Sequence, residues 1–170
     1  MTQLEEMDFT MNLINRIDDW FCEFTHEKTC YYRDKYGFSA DTTTHNNAND
    51  AFKHCYTSAI LTMFITPCIS KYFTDRHEWK GINKQNAVES VMDLYNNRIG
   101  RSVGLTAIKW MLTFKYSEDR LAKLIISKIY TNQLICSLSD KRISDFLSRR
   151  DSLGFSKAEQ KKLYKALYGE

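Results

Sequence analysis

The sequence predicts a single all-α domain of about six to seven helices spanning residues 1–170, and three observations carry that expectation. The chain holds one proline and six glycines in 170 residues, whereas sandwiches and barrels draw on both residue types at many tight turns. Apolar residues recur at steps of three and four along most of the chain, the spacing of a buried helix face. At 20.0 kDa the length suits one core and is too short for two. An apolar fraction of 43% with a net charge of only +3 excludes the weakly hydrophobic, highly charged compositions that stay disordered.

In the first segment, Leu4, Met7, Met11, Ile14, Ile17, Phe21 and Phe24 line one face of a helix expected from about Thr2 to Thr25. The period breaks between Tyr31 and Asn49, where Gly37, Ser39, Asp41, threonines and asparagines accumulate, so a long loop is expected there. Long ordered loops in compact domains are often functional. A second helix starts near Asn49 or Asp50 and runs through Phe52, Cys55, Ala59, Ile60 and Met63, with Pro67 kinking or ending it. His77 and Glu78 then fall in the connection that follows. A third helix covers about Lys84 to Arg98, with Ala87, Val88, Val91, Leu94 and Tyr95 as its stripe, and stops at Gly100. The fourth, Leu105 to Phe114, is short and nearly all apolar, so central burial is expected. Ser117 announces the fifth as an N-cap, with Glu118 and Asp119 in its first turn, and the helix continues to about Cys136. Segments from Ser139 to Arg149 and from Ser156 to Tyr168 complete the chain. The last opens with the capping box Ser156 and Glu159 and closes at Gly169. No internal repeat or linker marks a domain boundary.

No stretch reaches the roughly 20 apolar residues of a membrane span; Ala59 to Ile69 is the longest candidate. The acidic start Met1-Thr2-Gln3-Leu4-Glu5-Glu6 lacks the basic and then apolar pattern of a secretory signal. Synthesis in the cytoplasm is therefore expected, with any export requiring a carrier. Cys22, Cys30, Cys55, Cys68 and Cys136 are odd in number and include no C-x-x-C pair, which indicates neither a disulfide framework nor a zinc ribbon and suggests mostly buried thiols. Charge is uneven: residues 1–46 hold four basic and nine acidic side chains, residues 47–116 nine and five, and residues 117–170 eleven and seven. Lys157, Lys161, Lys162 and Lys165 lie on the last amphipathic helix, as a solvated face or as a surface for an anionic partner. The aromatic and basic interleaving of an RNA-binding module is absent, and nucleic acid is not the expected partner.

Polar residues that do not read as surface decoration gather between His45 and Arg101. Asp50 and His54 are four apart on the second helix, so they leave one face a turn apart. Such a pair can hold a metal, orient the imidazole for acid/base chemistry, or be a local ion pair. Asp93 and Asn97 repeat the four-residue spacing, and Asn96 and Asn97 are poor helix-interior residues that local propensity does not explain, unless they cap a helix end.

The strings Asn49-Asp50-Ala51-Phe52-Lys53-His54-Cys55-Tyr56, His77-Glu78 and Met92-Asp93-Leu94-Tyr95-Asn96-Asn97 with Gly100-Arg101 resemble the blocks D-A-F-R-H, H-E and M-D-L-Y-N-N-x-x-G-R of a bacterial domain. That domain occurs as a small C-terminal, toxin-like module of wall-associated and YD-repeat (Rhs-type) proteins and as short free-standing chains. The likeness covers residues 47–103, with Lys53 standing where arginine is usual. It implies an effector delivered by a contractile secretion machine into a target cell, with a secretion carrier and a cognate immunity protein as partners.

The resemblance marks which polar residues converge, and the reaction follows from their chemistry. Two histidines, three carboxylates and two asparagines, with no serine or cysteine paired to a base, favour water activation over a covalent intermediate. Cys55 is the sole candidate nucleophile, and as a helix neighbour of His54 it points away from it. In one scheme Asp50, His54, His77 and Asp93 bind a divalent metal, with Glu78 as general base. In the other, His54 is the base, held by Asp50 or Asp93. In either, Lys53, Asn96, Asn97, Arg98 and Arg101 contact substrate, the cations by stabilising an oxyanion or gripping phosphate. The expected function is an antibacterial hydrolase acting on the cell envelope, peptidoglycan or phospholipid, in preference to nucleic acid. Two other readings are a non-catalytic helical adaptor or immunity-like module, its polar cluster a buried network, and membrane disruption by the segment from Ala59 to Ile69.

Overall fold

The computed structural model describes residues 3–80 and 82–169, with side chains described from residue 19 onward. Among them are seven helices and no strand: α1 (Gln3–Tyr36), α2 (Ala48–Phe64), α3 (Pro67–Trp79), α4 (Ala87–Leu112), α5 (Glu118–Tyr130), α6 (Lys141–Leu147) and α7 (Lys157–Tyr168). The all-α expectation holds in one compact domain. The side chains of Leu4, Met7, Met11, Ile14 and Ile17 lie outside the described residues, while Phe21 and Phe24 of the same stripe pack against the core.

α1 runs eleven residues past its expected end. Its inner face continues through Thr25, Thr29 and Tyr32, all buried, with both threonine hydroxyls donating to carbonyls one turn back. Tyr32 lies over Phe52 and Tyr56 of α2. Threonine and tyrosine thus carry the periodicity that aliphatic residues abandon. Gly37, at φ +60°, ends the helix with its N–H on the Arg33 carbonyl, a conformation that costs glycine little. The loop is accordingly shorter than expected and closes on Asn47, whose side chain accepts from the Asn49 and Asp50 N–H groups as the N-cap of α2.

Pro67 neither kinks nor ends α2. It occupies the first turn of α3, with Thr66 as N-cap, where its missing N–H is no loss. His77 and Glu78 therefore stand on a helix and not in a loop. The segment from Ala59 to Ile69 is no membrane element either: Ala59, Ile60, Leu61 and Met63 are in the core, the chain turns at Ile65, and no helix among the described residues is long and apolar enough to cross a membrane.

The largest departure is in α4. The third and fourth expected helices are one continuous helix of 26 residues, and Gly100, expected to stop it, is buried in its middle. A Cβ on Gly100 would sit 2.3 Å from the Cys55 carbonyl oxygen and 2.8 Å from Ser58 Cβ. One on Gly104 would sit 2.6 Å from the Ala59 carbonyl oxygen and 2.7 Å from Thr62 Cβ. The glycines are contact points: their bare backbone lets α4 lie directly on the small-residue stripe Cys55, Ser58, Ala59 and Thr62 of α2. The ascending order of these contacts makes α2 and α4 parallel. α3 returns antiparallel between them, with Asp75 against Arg101 and Glu78 against Ser90. Of the segment expected at the centre, Ala107 is buried and Ile108 and Trp110 pack against the core, while Leu105 is exposed beside the crossing and Met111, Leu112 and Phe114, past the end of α2, are exposed as well.

α5 opens at Ser117, whose hydroxyl accepts from the Arg120 N–H, and stops at Tyr130, short of Cys136. The chain beyond is pinned to α4 instead: the Asn96 amide donates to the Ile135 carbonyl at 2.8 Å and accepts from the Ile135 N–H at 3.0 Å. α7 has the expected capping box and a left-handed Gly169 at its end. None of the five cysteines forms a disulfide, and only Cys55 is buried, with Cys30 and Cys136 half-buried and Cys22 and Cys68 exposed. The expectation of mostly buried thiols fails: Cys68 is exposed on α3, and Cys22 is exposed at the border of the cavity walled by α1, α2, α3 and α4.

Candidate functional site

One stripe along α4, Asp93, Asn97, Gly100 and Gly104, faces one stripe along α2, Asp50, His54, Ser58 and Thr62. The glycine half is the close crossing. The polar half, one turn N-terminal on both helices, opens into a cavity of about 440 Å³ walled by α1, α2, α3 and α4.

At its closed end His54 Nε2 lies 3.4 Å from Asp93 Oδ1 and 3.5 Å from Asp50 Oδ1, and the three atoms form a group able to hold a metal ion. Donor atoms about 2.1 Å from a common tetrahedral centre stand about 3.4 Å apart, so the spacing matches a shared cation better than it does hydrogen bonds. Asp93 Oδ1 is buried with no hydrogen-bond partner. Asp50 is held from behind, its Oδ2 accepting from the Asn46 N–H at 2.7 Å, and its Oδ1 is 2.7 Å from Lys53 Nζ. The other face of the imidazole, Nδ1, looks at Glu78 Oε1, 3.8 Å away.

Burial, with Asp93 and Asp50 nearby, pushes the Glu78 carboxyl up to about 9, and burial raises Asp93 as well. The protonated Glu78 is thus favoured in the folded chain. Between its ordinary value of 4.5 and about 9 the folded protein holds more protons than the unfolded one, so stability falls as pH rises. The metal-free protein is expected to lose Tm steadily across that window in a scanning-calorimetry pH series, and a Tm that rises there contradicts the assignment.

Asn97 is fully buried. Its Oδ1 accepts from Ser58 Oγ at 3.0 Å, its Nδ2 is buried without a partner, and the residue borders the cavity. Ser70 Oγ donates to the Ser58 carbonyl, and Arg101 grips Asp75 at 2.8 Å and Thr74 at 3.3 Å. These bonds lock α3 to both neighbours and hold Glu78 in place.

Of the residues singled out from sequence, Asp50, Lys53, His54, His77, Glu78, Asp93 and Asn97 line the cavity. His77 lies at the exposed rim, outside the Asp50, His54 and Asp93 donor group. Asn96, Arg98 and Arg101 are not on the cavity wall. Asn96 is a turn of about 100° from Asn97 and clamps Ile135. Arg98 stacks on Tyr95 and packs against Gly154. Arg101 is used up by Asp75. Cys55 lies in the helix crossing, where burial pushes its thiol up, the opposite of an activated nucleophile. Sequence reasoning missed His26 and His45, which line the mouth beside His77. The cavity therefore collects all four histidines of the chain. His26 reaches Thr44 Oγ1 at 3.4 Å and His45 Nε2 is 3.7 Å from Glu89; no spacing in the sequence links either to His54. The far wall, formed by Phe21, Leu61, Ile65 and Phe73, is apolar.

A family model described as "Domain of unknown function (DUF6973)" matches residues 10–133, which include every cavity residue. No curated protein and no solved structure matches the chain.

Proposed function

The chain belongs to the DUF6973 family, and we propose that it is a metal-dependent hydrolase. The observation that carries this is the meeting of His54 Nε2, Asp50 Oδ1 and Asp93 Oδ1 from two helices at the closed end of an accessible cavity. A divalent cation held by these residues supplies Lewis-acid chemistry, activating water and polarising an ester or phosphoryl oxygen. The donor set fits: two carboxylates and an imidazole suit zinc, manganese or related ions, and Asp93 Oδ1 has no other partner. Glu78 faces the far ring nitrogen, where a carboxylate holds a ligating histidine in orientation. It is also the group placed to accept and return a proton, because positive charge at the donor group opposes the burial and repulsion that raise it. Lys53 offsets the excess negative charge, and Asn97, bordering the cavity with an unused Nδ2 donor, is the residue available to meet a substrate oxygen.

A purely structural network would have its buried atoms paired. Asp93 Oδ1 and Asn97 Nδ2 are not, as is also true of Thr62 Oγ1 and Arg98 Nε away from the cavity; the first two belong to residues that border open space, which favours the catalytic reading. A role as a delivered antibacterial effector, with a secretion carrier and an immunity partner, is part of the same proposal and is supported by the resemblance of the three motif blocks. Chelation followed by dialysis is expected to remove hydrolysis of chromogenic ester and phosphodiester substrates, and added zinc or manganese to restore it; undiminished activity after chelation overturns the metal-dependent reading. Folded Asp50→Ala, His54→Ala and Glu78→Ala variants as toxic as the parent in both cytoplasm and periplasm overturn the effector reading.

A further inference from the structure

We propose that the substrate is a membrane lipid met at the bilayer surface: the apolar half of the cavity takes an acyl chain, and the end of the molecule onto which that half opens docks on an anionic bilayer. This rests on the hydrolase reading above and adds to it the substrate class and the surface that delivers it. The wall opposite the acidic cluster is built from Phe21, Leu61, Ile65 and Phe73, side chains with no hydrogen-bonding group. A glycan strand or nucleotide placed there exchanges its hydrogen bonds with water for none, whereas an acyl chain gains by leaving water. A ligand with a polar, hydrolysable head and an apolar tail matches both ends of one cavity.

Ile65 both lines the cavity and is exposed, so the apolar wall continues onto the outside. There the α2–α3 corner exposes Phe64 (67%), Ile69 and Tyr72. Because α2 and α4 are parallel, the overhanging end of α4 lies at the same end of the molecule and exposes Leu112 (76%) and Phe114 (98%). Exposed apolar side chains concentrated in this way mark an interaction surface. Its charge selects the occupant. Residues 59–74 and 105–116 contain no aspartate or glutamate but contain Lys71, Lys109 and Lys115. Lys71 is engaged by Asp75 and Glu159, while Lys109 and Lys115 have no ion-pair partner among the described residues. Aromatic and aliphatic side chains beside Lys109 and Lys115, with no acid within these two segments, suit an anionic lipid surface, although α1 adds the exposed Asp19 and Glu23 beside Phe21.

The test is flotation of the full chain with vesicles of phosphatidylcholine and phosphatidylglycerol, and of phosphatidylcholine alone, alongside hydrolysis of vesicle lipid and of a water-soluble short-chain ester. The parent is expected to float with the anionic vesicles and to hydrolyse both substrates. The double variant Phe64→Asp with Leu112→Asp, altered only at exposed positions, is expected to lose vesicle binding and vesicle-lipid hydrolysis roughly tenfold or more while keeping short-chain hydrolysis. Short-chain hydrolysis by a parent that does not bind vesicles overturns this inference alone, as does vesicle-lipid hydrolysis by the double variant at the parental rate. A metal-supplied parent that binds vesicles but hydrolyses neither substrate overturns the hydrolase reading and the substrate class with it.

Discussion

Asp93→Ala is expected to abolish tight divalent-cation binding. Asp93 Oδ1, like Asp50 Oδ1, has no hydrogen bond of its own, but it lacks the lysine that stands 2.7 Å from Asp50 Oδ1; it lies 3.4 Å from His54 Nε2, and its loss leaves a two-residue site. Removing groups that merely support metal ligands costs about 10–100-fold in affinity, and removal of a ligand is expected to exceed the upper figure. Isothermal titration with zinc and manganese checks this directly. Thermal denaturation supplies a second readout. Cation at a hundredfold excess over Kd stabilises the parent by about 2.7 kcal/mol, which for a chain of this length raises Tm by roughly 5–10 °C; the variant is expected to show no shift. Without metal, the variant should be at least as stable as the parent, because it removes a carboxyl that burial disfavours beside Glu78. Equal cation affinity in the two proteins places the metal elsewhere.

Gly100→Ala is expected to be the most destabilising methyl addition on α4. In a solvent-facing helix position the change is favourable by about 1 kcal/mol. Here the new Cβ would lie 2.3 Å from a carbonyl oxygen of α2. Backbone cannot rotate aside as a side chain can, so the two helices must separate. Overpacking of this kind costs about 3 kcal/mol, a Tm loss of roughly 6–12 °C. The same separation pulls Asp50 and His54 away from Asp93, so cation affinity should fall although no ligand has changed. Loss of both in parallel, measured by urea denaturation and cation titration, is the expected signature. Unchanged stability contradicts the close crossing.

Helical content and several helix starts were legible because they depend on local chemistry, whereas α3 read as a connection and α4 as two helices. Ser117 and the Ser156/Glu159 box cap helices by bonding N–H groups within their own first turn, and the spacing of Asp50 and His54 put both on one face before any partner was known. Boundaries failed where a residue type has two uses. Glycine ends a helix when it takes positive φ, as Gly37 does, and admits a neighbouring helix when it does not, as Gly100 and Gly104 do. Proline ends one helix or begins the next, and Pro67 begins α3. Within the polar blocks, adjacent residues took different roles: Asn97 faces the cavity, while Asn96 holds the chain at Ile135.

The sequence by itself determined that the chain is helical and which residues could act together along one helix: Asp50 with His54, and Asp93 with Asn97. These are relations of three or four residues, set by the pitch of the backbone. Only the tertiary structure decided that the two pairs meet, that Glu78 rather than His77 stands over the imidazole, and that Arg101 is consumed by Asp75. It also brought His26 and His45 to the same cavity and set an apolar wall opposite the acids. The physical reason is the crossing of α2 and α4. Two glycines without side chains let the helices touch, the contact sets their register, and the register places three donor atoms from distant parts of the chain around one point.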